Sequence, residues 1–382
     1  MSDRIPLARP DLGEREEALA LEVLRSGQLS LGPMSARFER EFAAWLGVEE
    51  AVAVSSGTTA LHLGVRSIGW GRGDIVLTTP LSFVASANCL LYEDAQPVFC
   101  DVDPVTLNID PAAAEAAVGH RTGGILPVHL FGYPADMTAL EALAERRRLA
   151  ILEDACEALG AIDAEGIRVG ARGNRATFAF YPNKQVTTGE GGMLVTVGTV
   201  DAARARSERN QGRSEEMAVL EHERLGFNYR LSDLQAALGV AQLERVEELL
   251  AARAAAAARY SERLGAAGGV PAGEGDPDGL VLPCRDDGEA RRSWFVYVVR
   301  LPVGVAREAV IESLAAAGIA SKAYLPCIHL QPFYRRRFGY REGQFPVAEQ
   351  AAARSLALPF FGSLGEAEVE RVCAALAAAI KR

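Results

Sequence analysis

Lysine is almost missing from this chain. Lys184, Lys322 and Lys381 are its three lysines, against 40 lysines and arginines together in 382 residues. Positive charge is also outnumbered. Fifty acidic residues leave a formal net charge of −10, which argues against nucleic acid or an anionic membrane surface as partner. The short basic runs at 146–148 and 335–337 read as solvated helix faces. Cysteine is sparse: six residues, at 89, 100, 156, 284, 327 and 373, with no C-x-x-C pair. That excludes a disulfide frame or a cysteine zinc site and fits reduced, mostly buried thiols in a cytoplasmic protein. The five histidines show no metal-ligand spacing. No apolar run reaches membrane-spanning length, and the opening M-S-D-R-I-P-L lacks a signal peptide's apolar core. No G-K-[ST] ending closes a phosphate loop, and no G-x-G-x-x-G follows the first strand. These absences argue against Walker-type nucleotide chemistry and a dinucleotide-dependent oxidoreductase.

What remains is an ordinary soluble composition, 49% apolar and 24% charged, in a chain too long for one small core. Strands alternate with helices through the first half. Short apolar runs at 51–54, 74–79, 97–101, 124–129 and 149–152 are separated by helical stretches at 60–68, 84–92, 111–119 and 136–148. That order predicts an α/β fold, with a mainly parallel sheet covered by helices on both faces. Helices over 13–26 and 34–46 precede it. After 199–209, a polar irregular stretch at 212–223 reads as a mobile loop. Ser232 then caps a long Ala/Leu/Glu-rich helix over 233–264. A strand at 294–301, a helix at 307–317, a Pro-bounded loop at 325–332 and a last helix at 366–380 predict a smaller α+β domain. The expected division is 1–248 for the large domain and 249–382 for the small one.

One stretch organises the chain: F-A-F-Y-P-N-K-Q-V-T-T-G-E-G-G-M, residues 178–193. A strand-like run ends at Pro182, which cannot continue a ladder. Lys184 follows, then Gly189, Gly191 and Gly192, and a second strand begins at Met193. A chain that otherwise uses arginine keeps an amine on a shaped loop. An amine can lose its proton and form a Schiff base, whereas a guanidinium cannot. The plain alternative is a surface lysine in a Gly-rich hairpin.

Two upstream features bear on that choice. Ala51–Val54 runs into Ser55-Ser56-Gly57-Thr58-Thr59, which opens a helix. A helix start with free N–H groups and hydroxyls binds anions, although plain N-capping uses the same residue types. The strand at 149–152 ends in Glu153-Asp154, and Asp154 alone reads equally as a cap. In parallel sheets, ligands gather at the carboxyl ends of strands. Gly57-Thr58, Asp154 and Lys184 all fall there. An anion cup, an acid at a strand end and an amine together suit pyridoxal phosphate. Lys184 would hold the coenzyme as an aldimine, Asp154 would pair with the pyridine nitrogen, Gly57 and Thr58 would take the phosphate, and Phe83 could stack on the ring.

The chain resembles the pyridoxal-phosphate-dependent nucleotide-sugar aminotransferases of the DegT/DnrJ type. The similar stretches include I-P-L-A-R-P-D at 5–11, S-G-T-T-A-L-H-L at 56–63, T-T-P-L-S-F-V-A-S-A-N at 78–88 and E-D-A-C-E-A-L-G at 153–160. They continue with F-Y-P-N-K-Q-V-T-T-G-E-G-G-M at 180–193, G-F-N-Y-R-L-S-D-L-Q-A-A-L-G at 226–239 and H-L-Q-P at 329–332. The resemblance implies a fold-type-I aminotransferase, a homodimer with shared active sites. Lys184, Asp154, Phe83, Gly57 and Thr58 match the coenzyme positions, and Asn228 matches a residue reaching the phosphate of the partner subunit. Arg230 and His329 match positions near the substrate, with a structural role as the alternative. Arg9 and Ser30 lie in loops that would shape the substrate pocket. Two positions depart from the family. Ala179 stands where many relatives carry a phosphate-binding serine, a contact that Asn183 or a water would replace. Glu157 stands where many carry Gln or His against the coenzyme ring.

The implied reaction takes an amino group from glutamate, leaves pyridoxamine phosphate and 2-oxoglutarate, and passes the group to a nucleotide-linked keto-sugar. A 4-keto-6-deoxy sugar for surface glycans or a secondary metabolite is the expectation. Two alternatives share the fold: a sugar dehydratase, in which histidine replaces the lysine, and a non-catalytic sensor or scaffold. Lys184 argues against the first, and its pairing with Asp154 against the second.

Overall fold

Short runs of β-branched and small apolar residues build a seven-stranded sheet from the first half of the chain. Its strands are β1 (Ala51–Val54), β2 (Ile75–Thr78), β3 (Gln96–Phe99), β4 (Thr122–Leu126), β5 (Ala150–Asp154), β6 (Arg175–Ala179) and β7 (Gly192–Val195). The structure is a computed structural model and describes residues 4–214 and 220–381. The mobile loop expected at 212–223 therefore lies partly outside the described residues.

The strand order is β1-β7-β6-β5-β4-β2-β3. The neighbours from β6 to β3 pair in parallel, whereas β7 runs antiparallel to both β1 and β6. The predicted mainly parallel sheet is thus present, with one reversed strand. Among the described residues, nine helices pack with it or lead away from it: α1 (Glu14–Ser26), α2 (Pro33–Leu46), α3 (Gly57–Ile68), α4 (Ala85–Leu91), α5 (Pro111–Ala117), α6 (Met137–Arg147), α7 (Gly198–Arg209), α8 (Asp233–Glu244) and α9 (Val246–Ala266). Strands buried on both faces read as continuous apolar runs, and all four residues of β1 and of β7 are buried.

The register places the candidate site at one edge of this sheet. Val54 and Ala179 both pair with Gly192, and Asp154 pairs with Thr177. The carboxyl ends of β1, β5 and β6 therefore lie side by side. β6 and β7 form an antiparallel hairpin, and its loop carries Lys184.

The long helix expected over 233–264 is two helices, broken at Arg245 (φ −126°, ψ 24°). No Pro or Gly marks the break. Arg245 instead turns to bind Asp11 at 2.8 Å and Glu16 at 3.0 Å, an anchor that local propensity does not contain.

A second sheet follows, made of β8 (Val270–Pro271), β9 (Val281–Leu282), β10 (Tyr297–Arg300), β11 (Lys322–Ala323) and β12 (Ser355–Leu358), in the order β11-β12-β10-β9-β8. The helices α10 (Arg307–Ala316), α11 (Pro332–Phe338), α12 (Pro346–Arg354) and α13 (Glu366–Ile380) complete this half. The sequence reading gives no element between 333 and 365, where α11, α12 and β12 lie. Ala- and Arg-rich composition hides β12, which is defined by its pairing with β10 and β11. The expected division at 248/249 runs through α9. That helix gives Val246 and Leu249 to the first core, and Ala256, Ala257, Tyr260 and Leu264 to the second. The opening segment also joins the second core: Ile5 is buried there and exchanges backbone hydrogen bonds with Gly318 and Ala320.

Candidate active site

The cup begins where β1 enters α3. Ser56 caps α3, accepting from the Thr59 amide at 3.2 Å, while the Thr59 hydroxyl accepts from the Ser56 amide at 3.0 Å. So capping and an anion cup coexist here. The amides of Gly57 and Thr58 come before the first intrahelical bonds and have no acceptor within the helix. The cup is also very tight. A Cβ on Gly57 would lie 2.6 Å from Ala179 Cβ and 3.0 Å from Cys156 Sγ. A Cβ on Gly192 would lie 2.3 Å from the Ser56 carbonyl oxygen. Glycine at both positions lets the hairpin and the helix start meet.

Asp154 ends β5 and is buried. Its Oδ2 accepts from Ser86 Oγ at 2.7 Å, and its Oδ1 accepts from the Cys156 amide at 3.1 Å. Ser82 in turn bonds Ser86 at 2.8 Å. Beside Asp154, Glu153 points to the opposite face and meets buried His129 at 3.2 Å. The His129 Nδ1 accepts from the Ala135 amide, so Nε2 carries the proton toward Glu153.

Glu157 lies one turn beyond Asp154 and is buried. Its Oε2 accepts from the Phe131 amide at 2.8 Å. Burial pushes its carboxyl above the ordinary glutamate range, with the charge of Lys184 acting in the opposite direction. Lys184 extends over the ring of Phe295, with Nζ 3.8 Å from the centroid. Its neighbour Asn183 has a buried Oδ1 without a hydrogen-bond partner. Phe83 is 60% exposed and lines a groove of about 890 Å³, together with Tyr92, Lys322, Tyr324, Phe333 and Arg336.

The structure therefore brings Gly57, Thr58, Asp154, Glu157, Asn183 and Lys184 to adjoining strand ends. The remaining candidates are held elsewhere in this chain. Arg9 is exposed and stacks on Phe361 at 4.7 Å. Ser30 is exposed and forms a backbone bridge with Ser232. Asn228 is exposed and bridges Asn210. Arg230 donates to Asn210 Oδ1 at 2.9 Å and Gln211 Oε1 at 3.0 Å. For His329 the structure shows the surroundings of the structural alternative. Its side chain is wholly buried, with Nε2 3.0 Å from Glu349 Oε1 and Phe345 packed against the ring. Ile328 and Gln331 line the groove, whereas the His329 ring packs into this cluster with its Nδ1 buried and without a hydrogen-bond partner.

Sequence reasoning missed Ser86, which holds Asp154, and Arg253 and Phe295, which hold Lys184. Ser86 sits inside the quoted T-T-P-L-S-F-V-A-S-A-N stretch and was legible as a hydroxyl one turn after Ser82. Arg253 carried no signal beyond an arginine in an alanine-rich helix. Among the described residues, no cluster of His, Cys, Asp and Glu could hold a metal ion, and no helix is long and apolar enough to cross a membrane. All six cysteines are free.

An amine on a hairpin, a hydrogen-bonded acid at the adjoining strand end and a glycine-cleared helix start define a pyridoxal-phosphate-dependent aminotransferase. The chain belongs to the DegT/DnrJ/EryC1/StrS aminotransferase family, whose model matches residues 10–377. It is 39% identical over 381 residues to the GDP-perosamine synthase of Caulobacter vibrioides, covering 98% of this chain and 99% of that protein. It is 37% identical over 391 residues to the spore coat polysaccharide biosynthesis protein SpsC of Bacillus subtilis, covering 99% and 97%. The solved structure of S. venezuelae DesV in complex with a ketimine intermediate superposes with a TM-score of 0.90. The two are 35% identical, with all of both chains covered. The residues present fit the coenzyme: glycine at 57 and 192 lets the start of α3 close on the hairpin, the Gly57 and Thr58 amides have no acceptor within the helix, and the amide oxygen of Asn183 is orphaned beside Lys184.

Proposed function

We propose that this enzyme transfers an amino group from glutamate to a nucleotide-linked keto-sugar, with a 4-keto-6-deoxy sugar as the acceptor. The reading is carried by the juxtaposition of Asp154 and Lys184 on adjoining strand ends. Pyridoxal phosphate, when bound, supplies an electron sink that makes the donor α-carbon acidic. The chain's own residues do the rest. Gly57 and Thr58 receive the phosphate at the positive end of α3. Phe83 covers the ring. Asp154, steadied by Ser86, holds a proton on the ring nitrogen. Lys184 binds the coenzyme and, once freed, moves a proton at its Nζ as base and then acid. Glu157 and Asn183 sit beside the lysine as further coenzyme contacts.

The named sugar and polysaccharide enzymes among the relatives support a nucleotide-sugar acceptor. We assign Arg9, Ser30 and Arg230 to the acceptor side, and Asn228 to the coenzyme phosphate of a partner subunit in a cytoplasmic homodimer. The exposure of Asn228, and of Leu225 at 72%, supports that assembly. The test is direct: reconstituted protein with glutamate and a panel of nucleotide-linked keto-sugars, followed by assay of 2-oxoglutarate and amino-sugar. Amino transfer to no member of the panel, with turnover of another carbonyl acceptor, would overturn the acceptor class.

A further inference from the structure

Arg253 on α9 is 5% exposed, and a guanidinium so deeply buried is ordinarily paired with a carboxylate. Its hydrogen bonds here go to backbone carbonyls instead. Nη2 donates to Lys184 O at 2.7 Å and Asn183 O at 3.4 Å, and Nη1 donates to Phe295 O at 3.2 Å and Trp294 O at 3.4 Å. Burial pulls its pKa down to about 10, so the group stays charged at neutral pH. One rigid planar fork thus ties the lysine loop to the segment entering β10.

The same two residues meet again at their side chains. The Phe295 ring is 2% exposed, and Lys184 Nζ lies 3.8 Å from its centroid. A cation over a ring face at this distance is attracted by the ring's quadrupole, the more so away from water. Lysine has a flexible four-carbon stem. Without a fixed seat its amine would sample many positions, at a cost in alignment with any reacting atom.

We propose that Arg253 and Phe295 form a seat that positions the Lys184 amine. The guanidinium fixes the lysine backbone relative to the ring, and the ring face holds the end of the lysine side chain in place while the protein is free of coenzyme. Both act through Lys184 and are positioning residues. The inference rests on the reading of Lys184 as the coenzyme-binding lysine.

The test uses full-length protein freed of coenzyme and remixed with pyridoxal phosphate, with attachment to Lys184 followed by its visible absorbance. Phe295→Leu keeps an apolar side chain and removes the π face. It should slow attachment and lower kcat about tenfold each, with KM for glutamate within about twofold and the melting temperature nearly kept. Arg253→Lys keeps the charge but loses the fork and should show the same split. Attachment and kcat at wild-type values in Phe295→Leu would overturn the seat. So would losses that track a falling melting temperature, since a purely structural role predicts those. If Arg253→Lys does not fold, Phe295→Leu alone decides. If wild-type protein takes up no coenzyme on Lys184, the coenzyme reading itself fails, an outcome distinct from the others.

Discussion

Ser86 Oγ donates to Asp154 Oδ2 across 2.7 Å, while the Cys156 amide holds Oδ1 at 3.1 Å. Each carboxylate oxygen therefore has one partner from the chain, and the carboxylate is held in one orientation. A hydrogen bond to a buried charged group is worth roughly 1.5–3 kcal/mol. Ser86→Ala should lower kcat about tenfold or more and weaken coenzyme retention. Equilibrium dialysis against pyridoxal phosphate checks the second effect independently of turnover. Wild-type values for both would remove Ser86 from the site.

Lys184 and Lys322 differ in what surrounds them. Lys184 sits over Phe295 beside Asn183, whereas Lys322 is exposed on β11 and lines the open groove. Borohydride reduction of the coenzyme-loaded protein, followed by peptide mapping, should place the label on Lys184. Lys184→Ala should leave no measurable turnover and no fixed label. Lys322→Ala should keep the label. A label on Lys322 would overturn the assignment of the amine.

The strand-end logic of the site was legible because it depends on local order. Strand, small residues and helix at 51–68, strand and acid at 150–154, and a Gly-rich hairpin at 175–195 each announce themselves within a few residues. What connects them does not. Ser86 reaches Asp154 across 68 positions, and Arg253 reaches Lys184 across 69. The break at Arg245 depends on Asp11 and Glu16, and β12 depends on β10 and β11. The surroundings of His329 were hidden for the same reason. The H-L-Q-P stretch does lie at the groove, but which of its side chains faces in is decided by Glu349, Phe99 and Phe345.

Glu157 should impose a pH dependence on stability. Burial raises its pKa in the folded protein, so the unfolded chain ionises first. The native state is therefore progressively penalised as pH rises from the unfolded glutamate value near 4.3 through the folded one. Glutamine can still accept from the Phe131 amide but carries no charge. Glu157→Gln should raise the melting temperature at pH 7 to 8 by roughly 1–3 °C and leave it unchanged near pH 4. Equal melting curves for the two proteins at both pH values would show that Lys184 fully offsets the burial.

Gly57 admits a steric test of the cup. Its φ is not positive, so alanine there meets no backbone penalty. The added Cβ would instead lie 2.6 Å from Ala179 Cβ and 3.0 Å from Cys156 Sγ. Forcing a methyl into a packed site typically costs about 1–3 kcal/mol, and here relief means moving the start of α3 away from β6. The amides of Gly57 and Thr58 would move with it. Gly57→Ala should therefore weaken pyridoxal phosphate binding at least about tenfold, with the phosphate-free aldehyde pyridoxal affected much less. Ala179→Gly in the same protein removes one of the two colliding atoms and should recover part of the affinity. If the double variant binds no better than Gly57→Ala alone, the collision with β6 is not what closes the cup.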